Sequence, residues 1–210
     1  MLEIIPLVLG PVVTNAYLVG DPKSHSAVVI DPAWDGELIV EEANHRGWKI
    51  EQIWLTHAHF DHIGGIAGVV RGNHPAPQIA LHPADLALYS VQGGAALFGM
   101  RIDATPEPTI RLKHGQILTL GEQAFEVRHS PGHTPGHVVF YYAAQKVVFC
   151  GDVIFWGSIG RTDLPGGDYD TLIRSIYTQI MSLPNETRLL TGHGGETTVG
   201  VERKDNPFLS

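Results

Sequence analysis

The sequence has very little cysteine: Cys150 is the only one in 210 residues. A disulfide framework of the kind that stabilises small secreted domains is therefore excluded, and a single thiol fits a reducing compartment. No apolar run approaches the roughly 20 residues that a membrane-spanning helix needs. The opening residues MLEIIPLVLG place no basic leader before their apolar run, so we expect no signal peptide. These features predict a cytoplasmic protein without a membrane partner.

Basic residues are also scarce, with 14 Lys and Arg against 22 Asp and Glu and a formal net charge of -8. Nucleic acids and anionic membranes favour basic surfaces, so we expect neither as a main partner. A small anionic substrate held by one or two local cations stays compatible with this balance. The hydrophobic fraction of 43% is ordinary for a globular protein with its own core. No repeat, linker or low-complexity segment divides the chain.

Short apolar runs alternate with turn residues and predict two groups of strands, each followed by a helix. The runs EIIPLVL, NAYLVG and AVVIDP predict an antiparallel meander. Residues 36–46 predict a helix that stops at Gly47, and residues 168–183 predict another with Asp168 as its N-cap. Two packed sheets with helices outside would accommodate this order. The other predicted elements are strands at 53–57, 78–83, 117–120, 124–129, 137–142, 146–150 and 188–193, a helix at 63–70 and an irregular segment at 90–108.

Histidine is abundant, with 12 residues, and the segment HAHFDH crowds four possible metal ligands into six positions. If the segment is extended, His57, His59 and Asp61 share one face and His62 turns away. The four side chains could then serve two adjacent metal sites. A histidine-rich polar loop without metal is the alternative.

Further ligands of the same kind occur later in the sequence. SPGHTPGH contains His133 and His137, CGD contains Asp152, and TGH contains His193. Asp152 and His193 come directly after predicted strands, where loops on a rigid scaffold usually carry chemistry. A carboxylate can bridge two cations, and imidazole with carboxylate ligands suits zinc, iron or manganese without any thiolate.

Taken in order, THAHFDH, SPGHTPGH, GD and TGH resemble the metallo-β-lactamase superfamily over nearly the whole chain. The resemblance implies an α/β fold, a four-layer αββα sandwich of two mixed β-sheets with helices outside, in one domain spanning 1–210. It also implies two divalent metal ions, with zinc first and iron or manganese as alternatives. By this resemblance His57, His59 and His133 hold the first metal, Asp61, His62 and His193 hold the second, Asp152 bridges them, and His137 is a structural neighbour.

The segment GDVIFWGSIGRTDLPGGD resembles the glyoxalase II group, the hydroxyacylglutathione hydrolases, and especially its compact single-domain members. Arg161 stands nine positions after Asp152, where that family has a basic residue that contacts the substrate. A surface salt bridge is the alternative for this arginine. We expect no separate C-terminal substrate-binding domain, and in this the chain would depart from the full-length enzymes. Asp163 and Gly194–Gly195 stand near the places of the family's glutathione-contacting tyrosines, so recognition of glutathione stays open.

The resemblance implies hydrolysis of a small-molecule thioester, S-lactoylglutathione or a related hydroxyacyl thioester, by a metal-bridging hydroxide held between Asp61 and Asp152. A thiolate leaving group, whose conjugate acid has a pKa of about 8.5, departs without a strong general acid. Two alternatives stay open. One is a persulfide dioxygenase with a single iron on His57, His133 and Asp152, and the other is a metal-dependent lactone or ester hydrolase. Lactamases are less compatible because they lack a bridging aspartate at this position, and RNA-processing members usually carry added nucleic-acid-binding parts. The oligomeric state is left open.

Overall fold

The computed structural model describes residues 1–209 and places most strands in two six-stranded mixed sheets. In the first sheet the spatial order of the strands is their order in sequence. The first three strands form the predicted antiparallel meander, with Ile4 opposite Val19 and Leu18 opposite Val29, and the remaining neighbours are parallel. The strands are β1 (Glu3–Leu9), β2 (Thr14–Asp21), β3 (Ser26–Ile30), β4 (Lys49–Trp54), β5 (Gln78–Leu81) and β6 (Ile110–Arg111).

The second sheet is antiparallel except for one parallel pair, between its fourth and fifth strands along the chain. A separate two-stranded hairpin lies between these two strands in sequence. The elements in chain order are β7 (Ile117–Leu120), β8 (Gln123–His129), β9 (Val138–Tyr142), β10 (Val147–Gly151), the hairpin β11 (Ile154–Phe155) and β12 (Ser158–Ile159), and then β13 (Arg188–Thr191) and β14 (Thr197–Thr198).

Six α-helices accompany the sheets, and within residues 1–209 none is long and apolar enough to cross a membrane. Asp168 caps its helix as predicted, because its Oδ1 accepts a hydrogen bond from the amide of Thr171 at 2.8 Å. The helix predicted over 168–183 is present from Tyr169 to Ile180, but its second part, Ile176–Ile180, is a π-helical turn with a wider bond from Met181 N to Ile176 O. The hydroxyl of Thr178 donates to the carbonyl of Arg174, which competes with regular backbone bonding. The helices are α1 (Gly36–His45), α2 (Phe60–Ile63), α3 (Ile66–Arg71), α4 (Leu86–Ser90), α5 (Tyr169–Ser175) and α6 (Val199–Asp205).

The strands and helices form layers because strands that are apolar on both faces pack against a core on each side. In β3, Val28 and Ile30 join the core between the sheets, whereas Ala27 and Val29 join the core beneath α1 and α3. The inter-sheet core includes Trp54, whose ring meets that of Phe125 edge to face at 4.9 Å between centroids. A third core lies beneath α5 and α6. The αββα sandwich of two mixed sheets is therefore confirmed.

Candidate metal centre

The loops that follow β4, β10 and β13 bring their polar residues together, as the sequence predicted. Backbone hydrogen bonds join these loops: the amide of Gly192 donates to the carbonyl of Gly151, and the amide of Val138 donates to the carbonyl of Thr56. His57, His62 and His133 are buried, and Asp152 is 8% exposed. A rigid edge with loops at the strand ends therefore positions this cluster.

The extended conformation considered above for HAHFDH is present only in the first half of the segment. His59 is extended, with φ -66° and ψ 148°, but α2 begins at the next residue and carries Asp61 and His62. Phe60 and Ile63 are buried in the core, which favours a helical turn with both on its inner side. The predicted helix over 63–70 is also interrupted, because the chain turns at Gly64–Gly65 and continues as α3. A Cβ at Gly65 would come within 2.6 Å of the carbonyl of Pro32, so only glycine fits this turn.

Six of the seven residues expected to bind metal lie in two groups, whose ligand atoms are within 4.8 Å of one another inside each group. The first group takes two residues from the segment before α2, and the second group takes two residues from α2 itself. The first group is His57, His59 and His133, and the second is Asp61, His62 and His193.

Asp152 lies between the two groups. Its Oδ1 is 3.3 Å from Nε2 of His62, and its Oδ2 is 3.6 Å from Nε2 of both His133 and His193. One carboxylate oxygen therefore faces the second group alone, and the other faces both. This is the arrangement expected of a carboxylate that bridges two cations.

Hydrogen bonds hold two of the histidines in one tautomer. The single hydroxyl hydrogen of Thr56 points to Asp31 Oδ2 at 2.6 Å, so the same oxygen accepts from Nδ1 of His57 at 3.0 Å. Nδ1 of His62 donates to the same Asp31 carboxylate at 3.0 Å. In both rings Nδ1 therefore carries a hydrogen, and Nε2 is the nitrogen that faces the cluster.

Backbone carbonyls orient two further histidines in the same way. Nδ1 of His133 donates to the carbonyl of Arg161 at 2.7 Å, and Nδ1 of His193 donates to that of Val13 at 3.4 Å. His59 is the exception, because its Nδ1 faces inward and lies 2.8 Å from Nε2 of His133. Neutral imidazole with a fixed second nitrogen is the form in which histidine binds metals.

Several buried polar atoms of the cluster make no hydrogen bond, and this supports metal binding. Within the described part of the chain, Nε2 of His57, Nε2 of His62 and Oδ1 of Asp152 are buried and make no hydrogen bond of good geometry, although the last two atoms lie 3.3 Å apart. Buried polar groups without a partner are costly, and all three point into the same cluster. A divalent cation would satisfy them, and the imidazole and carboxylate donors fit zinc, iron or manganese.

The electrostatics of the two groups differ. Burial and the neighbouring His133 lower the pKa of His59 to about 3. Burial opposes protonation of His193, but its bonds to Asp152 and Asp61 outweigh that effect and raise its pKa to about 9. Burial likewise opposes ionisation of Asp152, yet the charges on His62 and His193 hold the pKa of this carboxyl well below its usual range. A cation that binds to the second group would therefore displace protons from its histidines, because a histidine must be neutral to bind a metal.

Two buried aspartates of this region were missed by the sequence interpretation. Asp31 directly follows β3 and accepts from the amide of Thr56 at 2.7 Å in addition to its bonds described above. The sequence pattern that could have identified Asp31 is an acidic residue at the end of an apolar strand, and the same pattern identified Asp152. Asp85 is fully buried and follows β5 in a turn that gave no comparable pattern.

His137 takes a supporting position, as the sequence interpretation expected. Its Nε2 accepts a hydrogen bond from the amide of Asp152 at 3.0 Å, and its ring stacks on that of His57 with 4.7 Å between centroids. It therefore holds the backbone of one ligand and the ring of another.

Asp85 connects the loop of His57 and His59 to the loop of His133. Its carboxylate accepts from the amide of Ala58 at 3.1 Å, the hydroxyl of Thr134 at 2.8 Å and the amide of Gly136 at 2.6 Å. Asp85→Ala should lower the free energy of unfolding by about 3 kcal/mol, because buried donors to a charged group would lose their acceptor. Urea denaturation of the metal-free protein measures this. Asp205→Ala, at an exposed position, is the control, and an equal loss in both variants would contradict the role of Asp85.

Arg161 lies beside the cluster with its guanidinium already paired. Its Nε and Nη2 donate to the two carboxylate oxygens of Asp163, each at 2.7 Å, and the side chain is half exposed. The surface salt bridge considered above is therefore present, while the residue also lines the cleft over the metal cluster. This cleft has a volume of about 460 Å³, and Phe98 and Met100 line it together with Phe155.

Comparisons with known proteins agree with this geometry. A model of the Metallo-beta-lactamase superfamily matches residues 9–193. The hydroxyacylglutathione hydrolase GloC of Haemophilus influenzae is 38% identical, with 100% of this chain and 98% of that protein covered. Among solved structures, BLEG-1 B3 metallo-beta-lactamase is 38% identical with a TM-score of 0.91 and 100% of both chains covered. TTHA1623 in a di-iron-bound form is 42% identical with a TM-score of 0.88, covering 98% of this chain and 100% of that one.

Proposed function

Because the chain belongs to the metallo-beta-lactamase superfamily, we propose that it is a metal-dependent hydrolase of thioesters, with S-lactoylglutathione or a related hydroxyacyl thioester as substrate. The observation that carries this proposal is the convergence of five histidines and two aspartates on two adjacent groups of ligand atoms. The full-length similarity to the hydroxyacylglutathione hydrolase GloC supports the thioester.

Two divalent cations in this centre would activate water and polarise the acyl carbonyl. The residues of the chain supply position and charge. Asp61 is fixed by the hydroxyl of Thr14, which donates to its Oδ2 at 3.1 Å, and Asp152 is fixed through its amide. Both carboxylates face the cleft, where they can hold and orient a water molecule against the substrate. Phe98 and Met100 shield one side of the cleft from solvent.

The leaving group favours a thioester over an amide. Cleavage of an amide needs a proton donor for the departing nitrogen, whereas a thiolate leaves unprotonated near neutral pH. Among the described residues that line the cleft, Arg161 is the only titratable one outside the seven proposed metal ligands, and its guanidinium is bonded to Asp163. The cleft therefore suits a substrate whose leaving group needs no acid.

We expect purified protein loaded with two equivalents of zinc, iron or manganese to hydrolyse S-D-lactoylglutathione, and chelation to abolish the activity. The measurement is the loss of thioester absorbance, with metal content determined on the same sample. A matched assay of oxygen consumption with glutathione persulfide tests the dioxygenase alternative, which predicts a single iron. Turnover of the persulfide without turnover of the thioester would overturn the proposal.

A second candidate function is hydrolysis of a cyclic amide or ester. It is favoured by the similarity to BLEG-1, a chain named as a B3 metallo-beta-lactamase. A chromogenic cephalosporin and a simple lactone, assayed on the same loaded protein, separate this candidate from the thioester. A larger kcat/KM for either of them would replace the thioester as the preferred substrate.

A further inference from the structure

A second cavity, of about 300 Å³, opens beside the metal centre. It shares His59, Phe98 and Leu164 with the cleft over the cluster, so the two spaces are continuous. Its volume lies at the lower end of the range of small-molecule sites, about 300–1,000 Å³. A substrate whose reacting carbonyl lies over the metal ligands can therefore extend one arm into it.

The lining of this cavity is almost entirely apolar. Among the described residues that form it, His59 is the only one with a titratable side chain. The others include Val91, Leu97 and Phe98, which are 61%, 71% and 43% exposed. Large apolar side chains exposed together mark binding surfaces, and burying them would favour an apolar ligand. A carboxylate or an ammonium group placed here would lose water without gaining a partner.

The wall of the cavity is held against the metal loop by its backbone. The 3₁₀ segment Gln92–Phe98 contains Gly93 and Gly94 with φ of 63° and 75°, in the left-handed region. A Cβ at Gly93 would collide with the backbone of Phe60 and Ala58, so this glycine permits close contact with the loop of His59. The side chain of Gln92 also donates to the carbonyl of Ile102 at 3.2 Å. These contacts keep Leu97 and Phe98 next to the reacting position.

We propose that this cavity binds the acyl arm of the thioester, and that the acyl group it favours is a neutral aliphatic chain longer than lactoyl. The inference rests on the proposed function. Biological thiol carriers are charged, whereas aliphatic acyl groups are neutral, so the apolar cavity matches the acyl arm. The thiol arm then faces the side of the cleft that carries Ser158 and Arg161, where the polar groups are.

The test uses thioesters of N-acetylcysteamine with acetyl, butanoyl, hexanoyl and octanoyl groups on the metal-loaded protein. We expect kcat/KM to rise by up to about fourfold for each added methylene until the cavity is filled. A second series keeps the acetyl group and lengthens the thiol as a plain alkanethiol. A gain that follows the thiol and not the acyl chain would overturn the assignment.

Two matched substitutions locate the effect. Ala96 lines the cavity and is exposed, so Ala96→Trp should fill it and reduce the ratio of kcat/KM between hexanoyl and acetyl thioesters to near unity. Ala87→Trp, at an exposed position of α4 outside the lining, should keep the ratio of the unmodified protein. An unchanged ratio in Ala96→Trp would contradict the proposal.

Binding without turnover gives an independent result. The amide analogue of the octanoyl substrate, with NH in place of sulfur, should bind to metal-free protein more tightly than the acetyl analogue in calorimetry. If no thioester is cleaved but the octanoyl amide is preferred, the proposed function fails and the cavity assignment stands. If all acyl lengths are cleaved with equal kcat/KM and the amides bind equally, the function stands and the cavity assignment fails.

Discussion

Replacing Asp152 with alanine is expected to lower kcat/KM for the thioester by about 10³-fold or more and to reduce the bound metal below two equivalents. Loss of a residue that merely supports a metal ligand costs about 10- to 100-fold in affinity or activity, and a ligand shared by two ions should cost more. Asp152 is the residue whose carboxylate faces His62, His133 and His193 together. No other carboxylate in residues 1–209 has this position.

The same substitution removes an anion from among protonatable histidines. In the absence of metal, the charges of Asp152 and Asp61 raise the pKa of His62 well above its usual value despite complete burial. Without the carboxylate, both the protonated ring and a cation in its place lose their principal counter-charge. We therefore expect metal affinity and activity to fall together.

Metal analysis and steady-state kinetics on the same preparation measure this prediction. Glu186→Gln is the control, because Glu186 pairs with Lys146 in an exposed ion pair and is not a member of the cluster. Circular dichroism shows whether the variant keeps its fold, and Asp152→Asn separates charge from shape. An Asp152→Ala variant with two metals and full activity would contradict the bridging role.

The elements and ligands that could be predicted are those whose signal is local. The meander of β1 to β3 follows from short apolar runs separated by turns, and the N-cap of α5 follows from Asp168 alone. Asp152 and His193 could be identified because Asp152 directly follows β10 and His193 comes two residues after β13, and both strands are largely buried. Local periodicity is sufficient in these cases, since the fold only has to bring strand ends to one edge.

The features that could not be predicted depend on contacts distant in sequence. The helical start at Phe60 is set by burial of its ring and by the packing of Gly65 against the carbonyl of Pro32. Asp85 acquires its role from donors 27, 49 and 51 residues away. The cavity beside His59 depends on Gly93 approaching the metal loop, which no pattern in the segment 90–108 reveals. The division into two ligand groups is thus a property of tertiary packing.

The second large effect is expected on removal of the metals, which should lower the stability of the folded protein. A ligand present at 1,000 times its dissociation constant stabilises the folded state by about 4 kcal/mol. For a chain of this size, 1 kcal/mol corresponds to about 2–4 °C in Tm, so chelation should lower Tm by about 8–16 °C for one such ion. Thermal unfolding of reconstituted and metal-free protein measures the difference.

The structural reason is the crowding of ligands that have no other partners. The ring of His57 lies 4.2 Å from that of His62 and 4.9 Å from that of His59, between centroids. Nε2 of His57 makes no hydrogen bond within the described residues, so this ring gains its compensation only when a cation is bound. His57→Ala should therefore lose part of the chelator-dependent change in Tm, whereas His25→Ala, at an exposed position, should keep all of it. Equal Tm values with and without metal would mean that the cluster is stable by itself, and the metal assignment would then depend on activity alone.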